Sequence, residues 1–271
     1  MESGNAIGGG SDFLYGRDGQ DFLHGDSVTR NGNASGGGND RLFGGDGHDD
    51  LIGDSWSAGG GNASGGGNDH LEGGAINDTM IGDSVALGGD AQGAGDDEML
   101  GDAGGDLMVG DTVATQNAYG AGGDDLIDQG EGLGDFMIGD HNISNPRGGT
   151  AFSSGNDRII GSDESNPLFG EEALVGDSTV GRGLPPTAGN DVISGRGGND
   201  LLFGDNTNFA GSRTVGRVGG NDELDGGDGV DTLLAGPAND SLDGGPGAPD
   251  FCNGEGGIDT AIRCETLRRI P

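Results

Sequence analysis

Aspartate is the residue of this sequence that is best placed to do chemistry. The chain carries 47 acidic residues, 37 Asp and 10 Glu, against 12 basic residues, all of them Arg. An ordinary acidic surface would mix the two acids freely, whereas the short Asp side chain keeps a carboxylate close to a turning backbone. The bias toward Asp therefore indicates cation sites built on turns.

The aspartates recur in a local pattern of Asp, any residue, then an apolar residue. The apolar members come in pairs nine residues apart, such as Leu14 with Leu23 and Leu42 with Leu51. The first members of the pairs step by 28, 29, 28 and 28 residues, and then by 32, 34 and 31, through Leu14, Leu42, Leu71, Met99, Ile127, Ile159, Ile193 and Leu224. The nonapeptide GNASGGGND, at 32–40 and again at 61–69, repeats with this period. It is therefore part of a structural repeat and not a linker.

A short apolar unit between glycine turns cannot bury its apolar face alone, but copies stacked on one another can. Two or three residues in a row are too few for a helix and suit a short parallel strand. The sequence thus predicts an all-β fold, a right-handed parallel β-solenoid whose Leu, Met and Ile residues form inward ladders.

The stretches GGDGHDDLI (44–52), GGAINDTMI (73–81) and GGDGVDTLL (226–234) resemble the RTX, or hemolysin-type, calcium-binding repeat GGxGxDxUx, where U is a large apolar residue. The resemblance extends in some form over residues 8–261 and is clearest at 36–55, 65–84 and 220–245. In that family the GGxGxD part turns the chain and binds calcium, and xUx is a short strand. The resemblance implies a β-roll with calcium ions between its turns.

The same resemblance implies the ligands. One row comprises Asp21, Asp49, Asp78, Asp106 and Asp135, and the opposite loops end in Asp12, Asp40, Asp69, Asp97 and Asp125. Further candidates are Asp191, Asp200, Asp222, Asp231 and Asp240. A Gly-Asp motif repeats with the same period and adds Asp26, Asp54, Asp83, Asp111, Asp140, Asp177 and Asp205.

A simpler interpretation is that these aspartates only cap turns, for which Asp is well suited. Stacked carboxylates without counter-ions would repel one another, however, and this favours calcium. About a dozen divalent ions would reduce the net charge of −35 to roughly −11.

The sequence departs from the RTX pattern in two places. The return loops carry inserts, such as DSWSAGGGNASGGGND at 54–69, and an apolar residue recurs in them at Val28, Trp56, Val85 and Val113. The insert forms either a third short strand, which this regular recurrence favours, or a protruding hairpin, and calcium sites on that side are in doubt. The stretch 141–190 carries four prolines and has Glu172 where an aspartate is expected, so calcium binding there is also in doubt.

Composition excludes several function classes. With 66 glycines, 30% hydrophobic residues and a net charge of −35, the chain has too little apolar surface for a large core. Nucleic acids and anionic membranes are disfavoured because binding them requires basic patches. No apolar run approaches the roughly 20 residues of a membrane helix.

Two cysteines, Cys252 and Cys264, fit one loop-closing disulfide better than a metal site, which favours an oxidising compartment. The first residues, MESGNAIGGG, lack the features of a secretory signal. Either a signal was removed, another export route is used, or the sequence is part of a longer chain.

Other chemistry finds no support in the sequence. No EF-hand loop, no HExxH zinc motif and no recognisable nucleophile motif occurs, so we expect no enzyme activity. The four histidines, His24, His48, His70 and His141, are predicted to be solvated turn residues.

We therefore expect an extracellular or cell-surface calcium-binding β-roll with a structural, adhesive or filament-forming role. The alternatives are the accessory region of a larger secreted enzyme or toxin and, third, an ice-binding adhesin repeat. The expected parts are a long-period roll at 1–219, a tight nonapeptide roll at 220–261 and a C-terminal cap at 252–271. The open N-terminal coil should be covered by a preceding domain or by a second copy stacking end to end.

Overall fold

A computed structural model describes residues 4–132, 136–152, 155–163, 172–181, 183, 185, 187–247 and 249–270. Within them the chain forms 36 short β-strands and no helix. The strands stack in parallel as a β-solenoid of about 8 turns, which confirms the predicted all-β solenoid. This part of the chain contains no helix with the length and apolar character needed to span a membrane.

Each long coil passes through four sheets, which we number 1 to 4 in the order in which the chain reaches them, with strands numbered in chain order. Sheet 1 is built of two-residue strands: β1 (Ala6–Ile7), β5 (Ala34–Ser35), β9 (Ala63–Ser64), β13 (Ala91–Gln92), β17 (Ala118–Tyr119) and β22 (Ala151–Phe152). Sheet 2 comprises β2 (Phe13–Asp18), β6 (Arg41–Asp46), β10 (His70–Ala75), β14 (Glu98–Gly104), β18 (Leu126–Asp128), β23 (Arg158–Ile160), β26 (Val192–Ser194), β30 (Glu223–Asp225), β33 (Ser241–Asp243) and β35 (Thr260–Ile262), with β19 (Glu131–Gly132) paired to β14.

Sheet 3 comprises β3 (Phe22–His24), β7 (Asp50–Ile52), β11 (Thr79–Ile81), β15 (Leu107–Val109), β20 (Phe136–Ile138), β24 (Glu172–Val175), β28 (Asp200–Phe203), β32 (Thr232–Leu234), β34 (Phe251–Asn253) and β36 (Thr266–Arg268). Sheet 4 comprises β4 (Val28–Thr29), β8 (Trp56–Ser57), β12 (Val85–Ala86), β16 (Val113–Ala114), β21 (Asn142–Ile143), β25 (Thr179–Val180) and β29 (Thr207–Asn208). A separate pair joins β27 (Gly197–Gly198) to β31 (Asp228–Gly229).

The inward ladders have the predicted register. In sheet 2, Leu71 pairs with Leu42 on one side and with Met99 on the other. In sheet 3, Met80 pairs with Leu51 on one side and with Met108 on the other. The two ladders form the main apolar cluster, whose middle members are completely buried. Like residues stack on like because each coil repeats the last, so a side chain that fits one coil fits its neighbours.

The inserts form a strand and not a hairpin. Trp56 of β8 pairs with Val28 on one side and Val85 on the other, which confirms the predicted third strand. Sheet 1 adds a fourth strand to each long coil, and this strand was not predicted. Its alanines, with those of sheet 4, build a second apolar cluster that includes Ala63, Ala86, Ala91, Ala114 and Ala118.

The coil shortens toward the C-terminus. Sheet 1 ends at β22 and sheet 4 at β29, and only sheets 2 and 3 continue beyond them. The separation between corresponding aspartates falls from 31 residues, between Asp191 and Asp222, to 18, between Asp222 and Asp240. The coils after β30 are therefore two-strand coils of two nonapeptides each. The predicted division after residue 219 falls between β29 and β30.

The proline-containing stretch 141–190 continues the same stack. It contributes β21, β22, β23, β24 and β25, each in register with its neighbours. Pro167 and Pro186 lie outside the described residues.

One detail removes the support for an ice-binding face. The hydroxyl row that could have formed an outward array, Ser27, Ser55, Ser84 and Thr112, is buried inside the solenoid. Ser55 Oγ donates to the carbonyl oxygen of Gly36 at 3.1 Å. The three serines therefore satisfy backbone carbonyl groups, Thr112 Oγ1 lies 3.2 Å from His141 Nδ1, and none of the four hydroxyls is presented to solvent.

Candidate metal centre

An aspartate stands directly before each described sheet 2 strand except β19, and we call this row 1: Asp12, Asp40, Asp69, Asp97, Asp125, Asp157, Asp191, Asp222, Asp240 and Asp259. From Asp40 onward these side chains are buried. The Oδ1 atom of each accepts a hydrogen bond from the backbone N–H of the row 1 aspartate one coil earlier, for example 2.8 Å from Asp125 N to Asp157 Oδ1. Row 1 is thus a continuous ladder along one side of the solenoid.

The opposite side carries an equivalent row at the start of the sheet 3 strands, which we call row 2: Asp21, Asp49, Asp78, Asp106, Asp200, Asp231 and Asp250. Asp49 N donates to Asp78 Oδ1 at 2.8 Å, and Asp200 N donates to Asp231 Oδ1 at 2.9 Å. Glu172 lies in register with Asp200, as the sequence departure indicated. The predicted ligand Asp135 lies outside the described residues.

The Gly-Asp aspartates form row 3, two residues before each sheet 4 strand: Asp26, Asp54, Asp83, Asp111, Asp140, Asp177 and Asp205. Their side chains point inward to the loop that precedes sheet 2. There Asp177 Oδ1 accepts a hydrogen bond from Gly189 N at 2.7 Å, and Asp205 Oδ1 accepts one from Gly220 N at 2.9 Å. Row 3 therefore meets row 1 inside the solenoid.

Rows 1 and 3 converge most closely in the first coils. One oxygen from each of Asp26, Asp40 and Asp54 lies within 4.8 Å of the others, and the same holds for Asp54, Asp69 and Asp83. The side on which calcium sites were in doubt thus carries the most compact carboxylate clusters of the described residues.

One oxygen of most of these carboxylates has no hydrogen-bond partner among the described residues. The buried Oδ2 atoms in this condition include those of Asp40, Asp69, Asp97, Asp125, Asp157, Asp191, Asp222, Asp240 and Asp259 in row 1, and those of Asp21, Asp49, Asp78, Asp200, Asp231 and Asp250 in row 2. An unpaired buried carboxylate oxygen is costly, so the folded chain requires a compensating cation or proton at these positions.

Burial raises the pKa values of several of these carboxyl groups. Desolvation raises the pKa of Asp69 to about 7 and that of Asp78 to about 7. Desolvation, and then the charge of Asp69, raises the pKa of Asp54 to about 8. The pKa of Asp83 is raised well above its usual range, first by desolvation and then by the charge of Asp97. The positive charge of a divalent cation would offset both effects, because it favours the ionised carboxylates.

Glycine makes room for the unpaired oxygens. A Cβ atom on Gly53, the residue before Asp54, would collide with Asp69 Oδ2 and with the carbonyl oxygen of Gly82. Equivalent collisions would occur at Gly25, Gly82 and Gly110. In the row 2 turns, Gly45 has φ 109° and Gly74 has φ 106°, a backbone conformation that glycine adopts readily. The turns thus bring backbone carbonyl and carboxylate oxygens together.

These groups fit calcium. Ca²⁺ takes six to eight hard oxygen ligands, both carboxylate and backbone carbonyl, in flexible geometry. The turn-capping interpretation accounts for one oxygen of each aspartate, the Oδ1 that accepts a backbone N–H, and leaves Oδ2 without a role. The rows of Oδ2 atoms supply the oxygen ligands that calcium needs.

Several row members were absent from the predicted ligands. Asp157 and Asp259 continue row 1, Asp250 continues row 2, and Glu265 accepts from Asp250 N at 2.9 Å at the end of row 2. The Asp-x-apolar pattern at Asp157, Asp250 and Asp259 was the signal that could have identified them.

At one row 2 residue, Asp106, the Oδ2 atom accepts a hydrogen bond from the side-chain amide of Gln129. The buried Gln129 donates from Nε2 to Asp106 Oδ2 at 3.1 Å and to the carbonyl oxygen of Gly104 at 3.0 Å. A neutral amide donor here pairs with an Oδ2 atom of the kind that has no hydrogen-bond partner in the other row 2 members named above.

The prediction for the histidines was wrong for His141. This residue is completely buried, with Nδ1 3.4 Å from Asp111 Oδ2 and Nε2 3.2 Å from the carbonyl oxygen of Phe152. Burial lowers its pKa to about 4. It occupies the position of the inward hydroxyl row, where its ring reaches the same kind of carbonyl that Ser27 reaches from the first coil. The prediction was also wrong in placing His24 and His70 in turns, because they lie in β3 and β10, and the His24 ring stacks on that of Trp56. His48, by contrast, is exposed.

Cys252 and Cys264 form a disulfide with a Cα–Cα distance of 6.0 Å. It ties β34 to the segment between β35 and β36. Close by, the guanidinium of Arg263 pairs with the carboxylate of Asp243 through both Oδ1 and Oδ2. These two links hold the last coil to the coils before it.

Comparison with known proteins agrees with this geometry. The family model of the RTX calcium-binding nonapeptide repeat (four copies) matches residues 8–27, 34–55, 64–84, 187–208 and 218–249. No curated protein and no solved structure matches the chain. The matched segments each contain row 1 or row 2 aspartates and the turns that hold them. The repeats and the parallel β-solenoid together identify the chain as an RTX-type, calcium-binding β-roll protein.

Proposed function

We propose that this protein is a secreted β-roll that folds on binding calcium and serves a structural or adhesive role outside the cell. The observation that carries the proposal is the set of buried Oδ2 atoms in rows 1 and 2 that have no partner among the described residues. A chain with net charge −35 cannot bury these groups cheaply without cations. Calcium binding and folding are then the same event.

The same coupling supports secretion as part of the proposal. Calcium is scarce in the cytosol and abundant outside the cell, so such a chain would stay unfolded during export and fold on arrival. RTX repeat proteins are typically secreted, and the Cys252–Cys264 disulfide suits an oxidising compartment. These two points support an extracellular location.

A role in binding or assembly fits the molecule better than catalysis. Within the described residues, the buried carboxylates are spread along the solenoid in repeated, similar environments and are not gathered at one site. Repetition of one site is what a scaffold needs, because every coil is stabilised in the same way.

The first coil supports end-to-end assembly. Among the described residues, β1, β2, β3 and β4 each pair on one side only. This coil also exposes Ile7, Phe13 and Phe22, which are 84%, 55% and 60% exposed. An open strand edge with apolar side chains is a template for a further coil. We propose that a second copy stacks here in the presence of calcium.

The same coil favours one alternative. A preceding domain could cover the edge instead, and the protein would then be the calcium-binding accessory region of a larger secreted enzyme or toxin. The full reading frame distinguishes the two, because only the alternative requires a non-repetitive catalytic domain next to the first coil.

Circular dichroism tests the central proposal. The chain in EDTA should give a coil spectrum, and addition of millimolar calcium should convert it to a β spectrum, while the same concentration of magnesium should be much less effective. A chain that is fully folded in EDTA would contradict it. Light scattering and electron microscopy of the calcium-loaded protein test assembly, which a persistent monomer at high concentration would contradict.

A further inference from the structure

The two compact clusters of rows 1 and 3 share one residue. Asp26, Asp40 and Asp54 form the first cluster, and Asp54, Asp69 and Asp83 form the second, each with its oxygens within 4.8 Å of one another. Asp54 therefore belongs to both. The clusters lie in consecutive coils, on the side where the inserted sheets 4 and 1 enlarge the turn.

The shared residue, Asp54, is buried, and one of its carboxylate oxygens has no hydrogen-bond partner among the described residues. Asp54 and Asp83 are completely buried. Asp54 Oδ1 accepts from Gly38 N at 3.2 Å, whereas its Oδ2 has no hydrogen-bond partner among the described residues. Neither carboxylate oxygen of Asp83 has such a partner. These oxygens point into the clusters without any donor to satisfy them.

We propose that these five aspartates hold a pair of calcium ions, with Asp54 contributing to both sites. The proposal rests on the calcium binding of the proposed function and adds the location and the shared ligand. The aspartate of each Gly-Asp motif stands where the GGxGxD pattern has its second glycine, so the nonapeptide pattern itself places no carboxylate there. These aspartates replace a glycine position by a carboxylate, which gives this side three acidic ligands per ion.

Charge supports two divalent ions at this position. When all five carboxylates are ionised, as ligands of a cation are, they carry −5; two Ca²⁺ ions offset four of these charges, whereas one ion would leave three buried charges unbalanced. Sharing Asp54 also predicts coupled filling. The first ion orients the Asp54 carboxylate for the second, and removing that carboxylate weakens both sites.

Terbium luminescence gives a readout at this position. Tb³⁺ is a hard cation that accepts the same oxygen ligands, and its emission is sensitised by a nearby indole. Trp56, the only tryptophan of the chain, lies two residues after Asp54 at the start of β8. Emission excited through tryptophan therefore reports on ions bound in the first coils, those of the two clusters included, and much less on ions in the remote C-terminal coils.

Asp54→Asn and Asp26→Asn are the test variants, and Asp90→Asn is the matched control. Asp90 lies in a ladder whose neighbours are Asn62 and Asn117, and its Oδ1 accepts from Asn117 N at 3.0 Å. Asparagine there removes one charge and keeps the acceptor. Asp26 belongs to one cluster only and lies in the edge coil.

The expected result is a graded loss. Asp90→Asn should keep the wild-type sensitised emission, Asp26→Asn should lower it, and Asp54→Asn should lower it by about twice as much as Asp26→Asn. Calorimetry with calcium should show one ion fewer for Asp26→Asn and two fewer for Asp54→Asn. Wild-type emission and ion count in Asp54→Asn would overturn the proposal. If Asp54→Asn does not fold in calcium, Asp26→Asn decides, since an unchanged ion count there overturns the proposal equally.

The same samples separate this proposal from the proposed function. If calcium does not fold the wild-type chain, the proposed function fails. If calcium folds it and Asp54→Asn behaves like Asp90→Asn, only the shared pair of sites fails.

Discussion

The carboxylate of Asp97 accepts a 2.7 Å hydrogen bond at Oδ1 from the backbone N–H of Asp69, one coil earlier. Its other oxygen, Oδ2, is buried and has no hydrogen-bond partner among the described residues. One side chain thus has two tasks, since Oδ1 fastens two coils together and Oδ2 is left for a cation. The same arrangement recurs along rows 1 and 2. The residues that set the register between coils are therefore also the residues that would bind calcium.

Replacement of Asp97 by Asn should separate the two tasks. The amide oxygen can still accept the Asp69 N–H, but the negative charge is lost. We expect the calcium concentration at the midpoint of refolding to rise several-fold, as followed by circular dichroism. Asp96→Asn is the control, because Asp96 is the exposed neighbour and its loss of charge should shift the midpoint little. Equal shifts for the two variants would show that overall charge matters and the Oδ2 position does not.

Gly53→Ala should hinder calcium-dependent folding. A Cβ atom at this position would collide with Asp69 Oδ2 and with the backbone carbonyl oxygen of Gly82, and the backbone cannot move aside easily. Gly60→Ala provides the matched control, since no atom lies within 4 Å of its added Cβ. Calcium titrations monitored by circular dichroism should give a higher midpoint or no folding for Gly53→Ala alone. A Gly53→Ala protein that titrates like the wild type would contradict the close approach.

Met80→Asp should prevent folding even in excess calcium. Met80 is completely buried between Leu51 and Met108 in the sheet 3 ladder, where an unpaired carboxylate costs several kcal/mol. His48→Ala changes an exposed side chain in a neighbouring turn and should leave the calcium midpoint and thermal stability nearly unchanged. Similar losses in both variants would argue against the inward register of the ladder.

Without calcium, acid should favour the folded chain. Desolvation raises the pKa of Asp40 to about 6 and that of Asp69 to about 7, from an ordinary value of 3.8. Between the ordinary pKa of 3.8 and these raised values, the folded chain binds more protons than the unfolded chain, so the stability of the folded chain increases as the pH falls. The stabilisation is fully present below 3.8 and is lost as the pH rises through 6 to 7.

Circular dichroism in EDTA at pH 5 and pH 8 measures this effect, with more β structure expected at pH 5. With calcium the dependence should reverse, because protons compete for the same carboxylates and the calcium midpoint should rise as the pH falls. An apo chain whose β content increases with pH would contradict the assignment of the buried carboxylates.

The sequence alone determined the coils and their register. Leu42, Leu71 and Met99 recur at nearly constant spacing, and a parallel solenoid is the structure in which residues with such spacing become neighbours. The recurring valines and Trp56 in the inserts indicated sheet 4 for the same reason. Rows 1 and 2 followed from the Asp-x-apolar pattern, because a residue next to a stacked strand must itself be stacked.

Only the tertiary structure decided what the inserts do inside the coil. Each described strand of sheet 1 begins with an alanine, which buries little surface and leaves a weak sequence signal, and the inward face of this sheet became evident only against sheet 4. The burial of His141 and of the Ser27 row depends on which way each short strand faces, and two-residue strands have no alternation from which to read this.

The close approach of Asp40 to Asp26 and Asp54 is another feature that the sequence did not predict. Asp26 and Asp40 are separated by a strand of sheet 4, a strand of sheet 1 and the turns around them. Whether the two ends of such a loop meet depends on the turn angles of the whole coil and on the space that its side chains fill. A periodic sequence determines which residues stack between coils, but the distance across a coil is decided by packing.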